Sequence, residues 1–156
     1  MTRWLGIMLV LIGFVVLAAP AHADEPPTHT IGPLTIHAPW ARAVLPVAKA
    51  SAAYMRIGNT GPADTLIAAS TAAAARTELH QHINDGGIMR MRQIEGGIPI
   101  PAGATDLAPG GLHVMLMGLT RTLLDSDEFE LTLKFAQAGT ITVPVMVKPI
   151  TAGMAH

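Results

Sequence analysis

Glu128-Phe129-Glu130-Leu131-Thr132-Leu133-Lys134-Phe135 alternates polar and apolar side chains without a break. Successive side chains of an extended chain point to opposite sides, so Phe129, Leu131, Leu133 and Phe135 share one face that seeks a core, while the intervening residues meet water. A helix would scatter those four around its circumference. The stretch therefore predicts a half-buried strand. Just downstream the same period returns, with Ile141, Val143, Val145 and Val147 forming one face of a last strand. Pro144, on the other face, has no N–H to give to a ladder, which predicts an edge position for that strand.

Moving upstream, Leu112 to Met117 lies between Pro109-Gly110-Gly111 and Gly118, and Ile88 to Glu95 lies between Gly86-Gly87 and Gly96-Gly97. Thr77 to Ile83, Asp64 to Ala69, the alternation of Ala53, Met55 and Ile57, and Leu34 to His37 supply further strand candidates. Ala72 to Ala75 is the one competing signal, since alanine favours a helical turn. Seven to nine short strands, with turn signals every ~8–12 residues, predict an all-β domain built as an antiparallel sandwich or barrel. The double glycines read as turns between strands and not as phosphate loops.

At the amino end, Arg3 precedes an apolar run from Trp4 to Ala19, then Pro20 and Ala21-His22-Ala23. A cation, an apolar middle and a small-x-small ending make a secretory signal peptide, and the run is short of the ~20 residues a spanning helix needs. The expected division is a cleaved signal peptide at 1–23, a flexible lead at 24–33, a β-domain at 34–148 and a short tail at 149–156. The expected location is the periplasm, with no stable membrane insertion after cleavage. Eleven acidic residues oppose ten basic ones, and no basic stripe interleaves with aromatics, so nucleic acid is not an expected partner. Cysteine is absent. Packing alone must hold the fold, and any metal must be held by donors other than thiolates.

Such donors are present. His80, Met91, His113 and Met115 stand in the pattern H-x10-M-x21-H-x-M, which composition alone would supply in about one in a thousand such chains. In extended segments His113, Met115 and Met117 share a face, as do His80 with His82 and Met89 with Met91. Two imidazoles and two thioethers suit a soft, low-charge ion, because a thioether offers polarisable electron density and no negative charge. One copper(I) per chain in a four-coordinate N2S2 site is the expectation. Copper(II), which prefers tetragonal N/O ligation, is expected to bind only weakly, drawing in water or His82.

The spacing and several longer blocks resemble the periplasmic copper(I) chaperones of the PCuAC type. Those blocks are Pro39-Trp40-Ala41-Arg42-Ala43, Ala52-Ala53-Tyr54-Met55, Glu78-Leu79-His80, Gly87-Ile88-Met89-Arg90-Met91-Arg92 and the run from Pro109 to Gly118. The resemblance implies a cupredoxin-like Greek-key β-sandwich with His80, Met91, His113 and Met115 as copper(I) ligands. It also implies a copper-acceptor partner, either cytochrome c oxidase subunit II with its dinuclear copper centre or a Sco-type protein. Two departures stand out: Gln81 lies where some members carry an extra Met, and the tail offers only Met154 and His156.

His29 and His37 are read as ordinary solvated or hydrogen-bonded histidines, Met55 and Met146 as packing, and Met89 and Met117 as walls of the site. Whether His82, Met89, Met117, Met154 or His156 joins the copper is left open, as is whether Trp40 shields the site or fills the core. Arg90 and Arg92 read as a solvated face. A blue-copper electron carrier is not expected, because the thiolate it needs is missing, and neither is an enzyme, because four protein donors leave no obvious open position on the metal. A copper buffer and a non-metal assembly module are the alternatives to a carrier.

Overall fold

The computed structural model describes residues 25–154; the expected signal peptide and His156 lie outside the described residues. The chain forms eleven strands, with no helix among the described residues. They are β1 Thr28–Ile31, β2 Leu34–Arg42, β3 Ala50–Asn59, β4 Asp64–Ser70, β5 Ala74–Asp85, β6 Ile88–Gln93, β7 Ile98–Ile100, β8 Gly103–Leu107, β9 Leu112–Leu119, β10 Glu128–Phe135 and β11 Gly139–Lys148.

The alternating stretch becomes β10, with Phe129, Leu131, Leu133 and Phe135 all buried. Their register follows the hydrophobic pattern: Phe129 lies opposite Val145 and Leu131 opposite Val143 on β11. Burying one such side chain contributes about 1.5–3 kcal/mol, so a one-residue slip that turned all four outward is strongly disfavoured. The strands join in the order β6-β5-β9-β8-β3-β2-β11-β10-β4-β7, with β1 on β2 and a further pairing of β9 with β3. This ladder folds over a single apolar core as a β-sandwich, to which Leu34, Ile57, Leu66, Leu79, Val114 and Leu116 also contribute. All pairings are antiparallel except β11 with β2 and β8 with β9.

Several expectations need correction. The last strand is not an edge, for β11 has β10 on one side and β2 on the other. Pairing with β2 involves only Met146, Val147 and Lys148, so Pro144 lies where that side asks for no donor. The lead is partly structured, because Thr28–Ile31 forms β1 against Leu34–His37. Ala72 to Ala75 gives no helix. Thr71 Oγ1 accepts the Ala73 N–H and donates to the Glu130 carbonyl, a local turn that delivers Ala74 to its place opposite Leu119. The first predicted strand runs on to Arg42 through a bulge between His37 and Trp40, where Ala38 takes φ 44°. Met146 is 44% exposed and does not pack, whereas Met55 is buried as expected.

The site's foundation is β9, paired with β5 on one side and with β3 on the other. Val114 and Leu116 enter the core, so alternation turns His113, Met115 and Met117 to the opposite face.

Candidate metal centre

Register decides which side chains meet. On β5 and β9, His80 lies directly opposite His113, and Glu78 opposite Met115. On the hairpin β5–β6, His82 lies opposite Met91, and His80 opposite Gln93. On the far side of β9, Met115 faces Ala52 of β3. Alternation places all of these on one face, and the small side chains of β3 leave a hollow there. It measures about 280 Å³ and is walled by Tyr54, Ala52, Arg42, His82, Met91, His113 and Met115 among others.

The hydrogen bonds fix which ring nitrogens are free to coordinate. His113 Nδ1 faces the Gly111 carbonyl oxygen at 3.1 Å; a carbonyl only accepts, so Nδ1 carries the proton and Nε2 the lone pair. His80 Nε2 lies 2.8 Å from Glu78 Oε2, while Arg76 holds the other Glu78 oxygen at 3.1 Å. By the same reasoning His80 keeps its proton on Nε2 and presents a lone pair on Nδ1. Both His113 Nε2 and His80 Nδ1 are buried without a hydrogen-bond partner among the described residues. A buried acceptor left unpaired costs about 1–3 kcal/mol, which a coordinated ion would offset.

His113, 1% exposed, has its pKa lowered from the ordinary value by burial first, and then by the neighbouring His82 and His80, against the raising effect of its Gly111 bond. The ring is therefore held in the neutral form that a metal needs. Among the described residues no three His, Asp or Glu side chains form a group able to hold an ion. The softer donors on this face are the Met115 and Met91 thioethers, which line the same hollow as His113.

The four residues singled out from the sequence thus lie on one face of three adjacent strands, but they are not equally placed. The imidazole centres of His80 and His113 are 5.8 Å apart, while those of His82 and His113 are 5.0 Å apart. His82, not His80, lines the hollow, and Met91 is the direct neighbour of His82, standing one rung away from His80. Met89 lies a further rung out, opposite Asn84. Met117 accepts from Arg76 Nη2 at 3.6 Å, and Met154, 51% exposed, lies in the carboxyl-terminal turn. Trp40 neither walls the hollow nor joins the core. It stands behind Tyr54, with ring centroids 4.6 Å apart.

Sequence reasoning missed Glu78, Tyr54 and Arg42 as parts of the site. The Glu78-x-His80 spacing signals that the carboxylate shares the face of the imidazole. Nothing comparable marks Arg42, which reaches the site from β2.

Residues 34–147 match the family described as "Putative lipoprotein LpqE-like". The chain belongs to the LpqE-like family. A curated relative of this LpqE-like chain is "Putative lipoprotein Lxx21020" of Leifsonia xyli subsp. xyli, 34% identical over 145 residues that cover 92% of this chain and 85% of that protein. Among solved structures, the copper-bound PCuAC domain from PmoF2 is similar at 26% identity and TM-score 0.67, over 79% of this chain and 98% of that one. The copper(I) form of DR1885 from Deinococcus radiodurans is similar at 32% identity and TM-score 0.59, over 82% and 83%. The LpqE-like fold is thus the cupredoxin-like β-sandwich of PCuAC domains.

Proposed function

We propose that this chain is an exported copper(I) carrier that holds one ion through His80, Met91, His113 and Met115 and passes it to an acceptor protein. The observation that carries this reading is the pair of buried, unpaired ring nitrogens on adjacent strands, His113 Nε2 and His80 Nδ1, with the Met115 and Met91 thioethers on the same face. The copper-bound state of two structural neighbours supports it. Neutral donors also suit a carrier, because incoming ligands replace them one at a time without stranding a buried charge.

The carrier works in the periplasm after removal of residues 1–23. Its acceptor is cytochrome c oxidase subunit II, directly or through a Sco-type protein; support for this finer step is the PCuAC resemblance alone. The test is anaerobic titration of the tag-free mature chain with copper(I). One ion per chain is expected, with uptake greatly weakened in Met115→Ala. Unchanged uptake in that variant sinks the ligand assignment. Movement of copper to an apo subunit II domain, at a rate beyond that of a generic chelator at equal affinity, separates a carrier from a buffer.

A further inference from the structure

We infer that His82 is a fifth donor of this site, the unanchored imidazole through which copper(I) enters and leaves while His80 serves as the anchored one. The inference rests on the copper reading above and deepens it. Four observations point the same way. His82 walls the hollow together with Met91, His113 and Met115, whereas His80 does not. Its ring is nearer to His113 than the His80 ring is, at 5.0 Å against 5.8 Å, and closer to coplanar with it, at 32° against 55°. It stands directly opposite Met91 in the β5–β6 register, while His80 faces Gln93. Its Nδ1 is buried and has no hydrogen-bond partner among the described residues.

The two histidines differ in how firmly they are held. The Glu78 carboxylate, itself paired with Arg76, fixes the His80 ring. No side chain among the described residues holds His82, although its backbone N–H is fixed to the Gly111 carbonyl. An anchored imidazole favours retention and an unanchored one favours exchange.

Two donor sets therefore overlap. His113, Met115 and Met91 belong to both, and the fourth place is taken by His82, which lines the hollow, or by His80, which Glu78 anchors. Copper(I) is satisfied by few ligands, so three common donors keep it bound while a Cu–N bond to one imidazole forms and the bond to the other breaks. The ion stays copper(I) and both rings stay neutral, so neither an electron nor a proton leaves the set. An acceptor then meets copper on the ligand that is easiest to displace.

The test uses the full mature chain and copper(I) alone, without oxygen. X-ray absorption of His80→Ala loaded with one equivalent is expected to show two imidazole nitrogens and two sulfurs, because His82 fills the place. The His80→Ala/His82→Ala double variant is expected to show one nitrogen. His80→Ala should weaken binding by no more than about tenfold, and the double variant by well beyond the product of the two single effects, the mark of donors that substitute for each other. His82→Gln, which keeps bulk and removes the imidazole, guards against misfolding in the alanine variants. In the unmutated chain, NMR should show both the His80 and His82 rings shifting within the first equivalent.

A single nitrogen already in His80→Ala, or an unmoved His82 ring in the unmutated chain, overturns the inference and leaves the carrier reading standing. Failure of the unmutated chain to take up copper(I) overturns both.

Discussion

Met91 and His113 sit in the same hollow but bear very different structural loads. Met91 is 47% exposed on a strand whose residues all reach solvent; His113 is 1% exposed and hydrogen-bonded to the Gly111 carbonyl. Truncating an exposed side chain usually shifts stability by no more than about 0.5 kcal/mol, whereas emptying a buried site costs several times that. Met91→Ala is therefore expected to melt with the unmutated chain yet bind copper(I) more weakly. His113→Ala should lose both copper and several degrees of melting temperature. Calorimetry and copper(I) competition on the same samples check this, and a Met91→Ala protein with undiminished affinity removes Met91 from the donor set. The alternation of His113 with Met115 was legible because period 2 needs only the local chain. The pairing of Met91 with His82 also had a signal. A two-residue loop at Gly86-Gly87 sets Asp85 opposite Ile88, and counting back from there puts His82 opposite Met91. The turn pair with φ of 62° and 88° bears that out. Out of reach were the approach of Arg42 from β2 and the setting of each ring, since these depend on contacts between strands distant in the chain.

Between β6 and β7 two adjacent glycines serve different ends. Gly97 takes φ 87°, and a Cβ built on it would lie 2.6 Å from the Leu66 carbonyl oxygen and 2.8 Å from Thr65 Cγ2. The turn is pressed against β4 so that Ile98 can pair with Leu66. Gly96 has open space around it. Gly97→Ala should thus cost more than ~1 kcal/mol, through both a strained dihedral and backbone displacement, while Gly96→Ala should be neutral or slightly stabilising. Chemical denaturation of the two variants decides, and equal midpoints would show that β7 does not depend on this close approach. The same element shows why some strands escaped notice. β7 is three residues with Pro99 at its centre, and β8 buries only Leu107 fully, so neither is long enough to display a period. β1 is hidden by its threonines and by the proline-rich lead. In contrast β9, β10 and β11 carry enough alternating apolar residues to declare themselves, and β11 was misplaced only because pairing with β2 stops short of Pro144.

Across the whole sandwich, the hollow beside His113 and the clasp that closes the fold are in different places. Asp64, 7% exposed at the start of β4, accepts the Thr65 and Gln137 N–H groups on one oxygen, at 2.7 and 2.8 Å, and the Ala138 N–H on the other at 2.8 Å. It thereby ties β4 to the turn that joins β10 to β11, and neither Asp64 nor any of its bonding partners lines the hollow. Burial by itself would raise its pKa, but the backbone bonds from Gln137, Thr65, Ala138 and Ala136 outweigh burial and lower it. With the folded pKa below the unfolded one, the unfolded chain takes up the proton first. The stabilisation is complete above the ordinary carboxylate value of 3.8 and is lost as pH falls through the lower folded value. Asp64→Asn turns an acceptor into a donor that faces one of those N–H groups, at a cost of about 1–3 kcal/mol. Urea unfolding at neutral pH should show that deficit, and the gap from the unmutated chain should narrow in strong acid as the native carboxylate protonates. On the proposed reading, copper(I) that binds the folded state and not the unfolded one would add about 2.7 kcal/mol to either protein at a hundredfold excess over Kd. The variant should accordingly be less stable at every copper concentration while its copper(I) affinity is unchanged. A parallel fall in affinity would mean that the clasp and the hollow are coupled through the sheet, contrary to their separation in the fold.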